Sequence, residues 1–158
     1  MKFDGALGKE VVGIGMWING PLHHSCKIPH NLRMSSYKLA FDCSNNEAEY
    51  GALIVGLKIL KKLGAKKILV YGDSELVIKQ VKGEYQGKHP RMWAYQNVIL
   101  DIIRKFLEYT LYFVPRTQNI KVDSLASAAS MVKIPIHSNK KYIHVKHCSV
   151  VADNLRNW

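Results

Sequence analysis

The sequence has no long hydrophobic run, few cysteines and few acidic residues. Its longest apolar runs, such as residues 67–71, are far shorter than the roughly 18 to 20 residues that a membrane-spanning helix requires, so we expect no membrane partner. Cys26, Cys43 and Cys148 are odd in number and share no C-x-x-C spacing, so neither a disulfide framework nor a zinc ribbon is predicted. No basic and apolar leader opens the chain. We therefore expect an intracellular protein, in the cytoplasm or the nucleus, that is not secreted.

The scarcity of acids leaves a strong positive charge. The chain has 23 Lys and Arg residues against 12 Asp and Glu residues, a formal net charge of +11. Its length of 158 residues and its content of 47% hydrophobic residues are typical of one globular domain. A polyanion is the natural partner of such a surface. A soluble basic domain without a polyanionic partner remains the simpler alternative at this stage, because charge alone does not specify function.

Apolar spacing and turn residues predict an α/β domain with elements in the order βββαβααβα. Strands are predicted at residues 1–3, 11–18, 34–41, 67–71 and 109–115, the first of them broken by Asp4-Gly5. Helices are predicted at residues 46–63, at 74–81, from residue 90 onward and at 122–132. Gly64 and Gly83 are expected to end the first two helices, and Pro90 to begin the third.

Four acidic residues fall at positions from which their side chains can converge: Asp4, Glu49, Asp73 and Asp123. Taken singly, each has a simpler explanation as a turn residue, a helix cap or a charge that complements a helix dipole. If the first and fourth strands are neighbours and the first helix packs across them, however, the carboxylates meet. They then repel one another unless a hard cation neutralises them. Oxygen ligands favour magnesium or manganese, so the pattern predicts a metal site.

Four segments carry motifs with a familiar order and spacing: residues 3–6 (FDGA), 43–53 (CSNNEAEYGAL), 71–74 (YGDS) and 114–126 (VPRTQNIKVDSLA). Together they resemble the type 1 ribonuclease H family, and they look most like the ribonuclease H domain of gypsy-type LTR retrotransposon polyproteins. The resemblance covers about residues 1–130. It implies an α/β ribonuclease H-like fold in which helices flank a five-stranded mixed sheet.

The resemblance also implies which acidic residues are catalytic and bind metal. Asp4, Glu49, Asp73 and Asp123 stand at the four positions that are both catalytic and metal-binding in the family, where two Mg²⁺ ions are held and Mn²⁺ is a possible substitute. Glu47 lies two residues before Glu49, and on a helix this offset points its side chain to a different side. We therefore leave Glu47 out of the set.

The candidate contacts with nucleic acid are motif residues and dispersed cations. Asn45 and Asn46 stand where the family contacts the minor groove of an RNA/DNA hybrid, although Asn is also a typical helix cap. Arg116 is a candidate for phosphate contact or for catalysis, and Trp93, near the cations, is expected in the core. The full set comprises Gly5, Asn45, Asn46, Ser74, Lys82, Lys88, Arg91, Arg116 and Asn119.

The function implied by the resemblance is hydrolysis of the RNA strand of RNA/DNA hybrids by a two-metal-ion mechanism. One alternative is an inactive ribonuclease H-like domain that binds hybrid or double-stranded RNA; another is a basic α/β adaptor without a nucleic-acid site. Four retained acids favour the enzyme, and the short stretch before Asp4 favours the inactive domain. Residues 1–132 are expected to form the catalytic domain and residues 133–158 an extension or linker remnant. We expect the protein to be a monomer. Reverse transcriptase and integrase domains of a parent polyprotein are the implied neighbours.

Overall fold

The computed structural model describes residues 1–7, 12–18, 33–39, 44–86, 89–131 and 144–148. Its strands are β1 (Lys2–Leu7), β2 (Val12–Ile18), β3 (Arg33–Leu39), β4 (Lys67–Gly72), β5 (Glu108–Phe113) and β6 (His144–Cys148). Its helices are α1 (Asn45–Lys62), α2 (Glu75–Val81), α3 (Pro90–Ile103) and α4 (Ile120–Met131), and a short 3₁₀ turn, Arg116–Gln118, precedes α4. No helix within these ranges has the length and apolar character needed to cross a membrane.

The strands form one mixed sheet in the order β5-β4-β1-β2-β3-β6. The pairs β1–β2 and β2–β3 are antiparallel, whereas β1–β4, β4–β5 and β3–β6 are parallel. The predicted α/β class is therefore confirmed. The predicted count of five strands is wrong for the described residues, because residues 144–148 pair with β3 as a sixth strand. The proposed domain boundary at residue 132 stays a prediction.

Strand β1 is longer than its sequence indicates. The Asp4-Gly5 pair was expected to break the strand after Phe3, but β1 continues to Leu7 because it pairs with β2 over its whole length. Gly5 serves close packing here: a Cβ atom at this position would lie 2.4 Å from the carbonyl carbon of Ala48 on α1. The turn preference of Asp-Gly is overridden by the sheet, and Asp4 is thereby placed inside a central strand.

Helix α1 begins with a capping box. The Ser44 hydroxyl accepts a hydrogen bond from the Glu47 N–H at 3.3 Å, and the Glu47 carboxylate accepts one from the Ser44 N–H at 2.6 Å. This arrangement satisfies two backbone donors at the helix start. The helix ends before Gly64, which has the positive φ of 80° that glycine adopts without strain. The expectation that Asn45 or Asn46 caps the helix is wrong, since Ser44 is the cap.

Helix α3 begins at Pro90, as predicted, and His89 is its N-cap. Its buried face carries Ala94, Tyr95, Ile99, Ile102 and Ile103. The expectation of a core position for Trp93 is wrong, because this residue lies outside the 3.6-residue stripe and is 52% exposed.

Candidate active site

Three carboxylates meet where β1, β4 and α1 come together. Oxygen atoms of Asp4, Glu49 and Asp73 all lie within 4.8 Å of one another. Asp4 is in the middle of β1, and Asp73 directly follows β4; the parallel pairing of Phe3 with Gly72 makes the two acids neighbours. The close approach of α1 at Gly5 brings Glu49 to the same point. The convergence expected from the sequence is therefore present for these three residues.

The three side chains are almost completely removed from solvent. Asp4 is 0% exposed, Glu49 is 9% exposed and the Asp73 side chain is 6% exposed. Burial raises the pKa of both Asp4 and Glu49, and the charges of the neighbouring acids raise these pKa values further. The backbone N–H of Gly5 donates to the Glu49 carboxylate and opposes part of this effect.

Several oxygen atoms of the cluster have no hydrogen-bond donor within the described part of the chain. They are both carboxylate oxygens of Asp4, Oε2 of Glu49 and Oδ2 of Asp73. Leaving such atoms unsatisfied is costly, and the cost is greater when several negative charges share the site. A hard divalent cation would remove both penalties, and an all-oxygen ligand set fits Mg²⁺ or Mn²⁺.

Asp123 lies beside this group of three but outside it. It stands in the first turn of α4, close enough to Asp4 that its charge also raises the pKa of Asp4. The Arg116 guanidinium bridges Asp73 and Asp123: its Nε lies 3.8 Å from Oδ2 of Asp73, and its Nη2 lies 3.6 Å from Oδ1 of Asp123. Because the Arg116 side chain is 74% exposed, this positive charge borders the cluster on its solvent side.

Glu47 is buried but separate from the cluster. Its carboxylate accepts from the Ser44 N–H and lies 3.4 Å from Nη1 of Arg91. Both the cap and the ion pair give this acid a structural role at the start of α1. The geometry thus separates Glu47 from Glu49 although they are only two residues apart.

Residues 31–129 match the sequence profile of the reverse transcriptase-like family. The chain belongs to this family. Among curated relatives, ribonuclease HI of Halobacterium salinarum is 34% identical over 86 residues, which are 54% of this chain and 43% of the relative. A bifunctional protein of Mycobacterium tuberculosis is 37% identical over 86 residues, 54% of this chain and 24% of the relative. The chain therefore spans less than half the length of these two relatives.

Two solved structures resemble the chain over most of its length. RNase H1 from the halophilic archaeon Halobacterium salinarum has a TM-score of 0.71 at 26% identity, covering 81% of this chain and 93% of that chain. LC11-RNase H1, solved in complex with an RNA/DNA hybrid, has a TM-score of 0.67 at 28% identity and the same coverage. The predicted ribonuclease H-like fold and the relationship to type 1 ribonuclease H are confirmed. The closer kinship with gypsy-type retrotransposons stays a prediction.

Within this family fold, three of the predicted nucleic-acid contacts are framework residues. Gly5 is buried against α1, and the Asn119 side chain, only 1% exposed, donates from Nδ2 to the Phe3 carbonyl at 2.9 Å. Ser74 is the N-cap of α2 and accepts from the Val77 N–H at 3.4 Å. These contacts hold β1, α1 and α2 around the carboxylates, and a structural role is thus established for each residue.

Other candidates lie at the surface. Asn45 is exposed and Asn46 is half-buried in the first turn of α1, with Ser44 rather than either amide capping the helix. Lys82 pairs with Glu84 at 3.4 Å. Arg91 is the partner of Glu47, as described above. Lys88 falls outside the described residues.

Sequence reasoning passed over three further residues near the cluster: Lys2, Trp17 and Lys121. The Lys121 ammonium lies 3.9 Å from the centroid of the Trp17 ring, and that of Lys2 lies 5.9 Å from it. The sole sequence signal was the position of each lysine, two residues before Asp4 and Asp123 respectively. Trp17 lies beside Lys2 because of the register of β1 against β2, which sequence alone does not specify.

Proposed function

We propose that this chain is an endoribonuclease that hydrolyses the RNA strand of RNA/DNA hybrids. The observation that carries the proposal is the buried group of Asp4, Glu49 and Asp73, in which four carboxylate oxygens lack donors among the described residues and the shared negative charge calls for a cation. The relatives support the choice of reaction: one is named ribonuclease HI, and LC11-RNase H1 was solved with an RNA/DNA hybrid.

The four acids would hold two Mg²⁺ ions, with Mn²⁺ as a possible substitute. Asp4, Glu49 and Asp73 would supply the buried ligands, and Asp123 the ligand nearer to solvent. Bound there, such ions activate a water molecule and stabilise charge on the leaving oxygen of a phosphodiester.

The chain's own residues prepare the site for this reaction. The Arg116 guanidinium, exposed at the rim, supplies a positive charge to the phosphate of the incoming strand. Gly5 fixes Glu49 by its backbone N–H, and Asn119 fixes β1 at Phe3. Water adds to phosphorus, the bond from phosphorus to the 3′-oxygen breaks, and that oxygen takes up a proton. The products are a 3′-hydroxyl and a 5′-phosphate.

The remaining expectations from the sequence belong to the same proposal. We infer an intracellular monomer with a catalytic domain at residues 1–132. Kinship with gypsy-type elements, and neighbouring reverse transcriptase and integrase domains, are proposed from the sequence motifs alone.

The proposal is tested with an end-labelled RNA/DNA hybrid in Mg²⁺, Mn²⁺, Ca²⁺ or excess chelator, beside duplex DNA of the same sequence. We expect cleavage of the RNA strand in Mg²⁺ and Mn²⁺ only. Ca²⁺ should not support turnover, because it accepts more ligands at longer distances than the reaction tolerates. Asp73→Asn is the matched inactive variant, expected to retain hybrid binding. Binding without cleavage in every metal would refute the enzyme and favour the inactive domain; cleavage that survives chelator would refute the metal site.

A further inference from the structure

A cleft of about 380 Å³ opens beside the carboxylate cluster, between the start of β1, Trp17 on β2 and residues 117–122. Its polar lining includes Lys2, Gln118 and Lys121, and its apolar wall includes Trp17, Ile120 and Val122. None of the lining residues within the described part of the chain is acidic. The cleft is thus a positively charged recess with one aromatic wall.

The two lysines are held in place without being neutralised. Lys2 Nζ donates to the Gln118 carbonyl at 2.7 Å, and both ammonium groups lie near the ring of Trp17. Cation–π contact orients an ammonium group but leaves its charge in place. Among the ion pairs of the described residues, none includes Lys2 or Lys121. Two fixed positive charges therefore face the cleft, and neither has a carboxylate partner among the described residues.

The cleft adjoins the reacting centre. Lys2 and Asp4 are two residues apart on β1, so their side chains leave the same face of the sheet about 7 Å apart. On the opposite wall, Asn119 lines the cleft and is hydrogen-bonded to Phe3, the residue between Lys2 and Asp4. The cleft therefore lies about two strand residues from Asp4.

We propose that this cleft binds a backbone phosphate of the hybrid next to the phosphodiester that is cleaved, with Lys2 and Lys121 as its two cationic contacts. This inference rests on the proposed function. Lysine binds phosphate as a point charge, and two lysines pre-positioned on one indole lose little freedom when they bind it. The cleft thereby sets the register of the strand relative to the carboxylates.

The test is the salt dependence of hybrid binding, with Asp73→Asn in every protein so that the hybrid stays intact. Each phosphate contact contributes about 0.9 to the slope of log affinity against log salt concentration for a duplex. Lys2→Gln and Lys121→Gln should each flatten the slope, and together they should flatten it by about this amount, because both lysines contact the same phosphate. Lys121→Arg should retain it. Lys66→Gln is the control: Lys66 is exposed and directly precedes β4, at the opposite end of that strand from Asp73, so its replacement should leave the slope unchanged.

The outcomes separate this proposal from the catalytic one, because no arm requires cleavage. A slope that falls in Lys2→Gln and Lys121→Gln supports the cleft even if the unmodified chain cuts nothing. Slopes equal to that of Lys66→Gln, in variants whose melting temperature equals that of the parent, would overturn it. A competing titration with inorganic phosphate distinguishes the ligand: displacement of hybrid at low millimolar phosphate would indicate a site for the free anion and would also overturn the proposal.

Discussion

Two glutamates, two residues apart on α1, are both buried but lie in opposite electrostatic surroundings. Glu47 is 4% exposed, and its carboxylate accepts from the Ser44 N–H and pairs with Arg91. Glu49 is 9% exposed, but its neighbours are Asp4 and Asp73. A helix turns about 200° over two residues, so the two side chains point into different environments.

The contrast between Glu47 and Glu49 shows at which buried acid the fold loses free energy of unfolding. At Glu47 a donor and a cation compensate the buried charge, so this acid fastens the helix start. At Glu49 the added charges of Asp4 and Asp73 oppose ionisation, and Oε2 has no donor among the described residues. Proteins retain such local conflicts at functional sites and compensate for them elsewhere. The capping box formed by Ser44 and Glu47, about half a helical turn before Glu49, is one such stabilising contact.

Of the substitutions at these two glutamates, Glu49→Gln should have the larger effect on the rate of hybrid cleavage. Replacing a carboxylate by an amide removes one metal ligand and its charge, so we expect the rate of hybrid cleavage in Mg²⁺ to fall at least about 100-fold. The variant should fold, because it removes a repelling charge from a buried cluster. The measurement is single-turnover cleavage of the labelled hybrid, together with the melting temperature.

Glu47→Gln is the matched control for the same experiment. A glutamine at this position still accepts from the Ser44 N–H in a capping box and loses only the ion pair with Arg91. Cleavage should stay within about threefold of the parent, because one partly exposed ion pair contributes less than about 1 kcal/mol. If Glu47→Gln inactivates and Glu49→Gln does not, the assignment of the helix acid is wrong.

The pH dependence of the unfolding free energy, measured in chelator, should reveal the raised pKa values at the carboxylate cluster. In the folded protein the pKa values of Asp4 and Glu49 are raised, whereas unfolded carboxyl groups titrate at about pH 4. Between about pH 4 and these raised pKa values, the folded state therefore binds more protons than the unfolded state. The contribution of these acids to the unfolding free energy is therefore full below about pH 4 and is lost as the pH rises. Between pH 5 and pH 8, Glu49→Gln should gain at least about 1 kcal/mol relative to the parent.

Urea unfolding at both pH values, with and without Mg²⁺, checks this. Comparing the variant with the parent cancels the titration of all other groups. Mg²⁺ at pH 8 should stabilise the parent and remove most of the difference, since the cation offsets the carboxylate charges. A difference between parent and variant that does not change with pH would contradict the raised pKa values.

Sequence alone predicted most of the architecture because local signals and long-range packing agree there. Apolar spacing placed α1, α3 and β4, and Gly64 and Pro90 marked helix ends, since their backbone preferences act locally. The meeting of Asp4, Glu49 and Asp73 followed from the order of the elements once β1 and β4 were taken as neighbours.

The errors arose where tertiary contacts override local preference. Asp4-Gly5 has the local signature of a turn, but pairing with β2 keeps it in a strand. Asn45 and Asn46 are good caps, yet Ser44 takes the cap because Glu47, three residues on, completes the box. Strand β6 joins the sheet through pairing with β3, a contact more than 100 residues away in the sequence that no local pattern encodes.

The smallest expected effect concerns Asn45, which is exposed, and Asn46, which is half-buried, the two residues that precede Glu47. Their short amides in the first turn of α1 can hydrogen-bond the 2′-hydroxyls displayed in a wide, shallow minor groove. Replacing both by Ala should slow hybrid cleavage about fivefold per lost hydrogen bond, at about 1 kcal/mol each. Duplex DNA, which lacks the hydroxyl, should remain uncut.

Ser44 provides the matched control for this last variant. Because Ser44 is the cap, Ser44→Ala should lower stability by about 1 kcal/mol while the folded protein cuts at the parent rate. The double Asn variant should show the reverse, a parent-like melting temperature with slower cleavage. Steady-state rates and thermal melts of the two variants, recorded side by side, test both statements. If the double Asn variant melts early and, where it is fully folded, cuts hybrid at the parent rate, the asparagines only support the helix start, and hybrid selectivity must come from other residues of the groove.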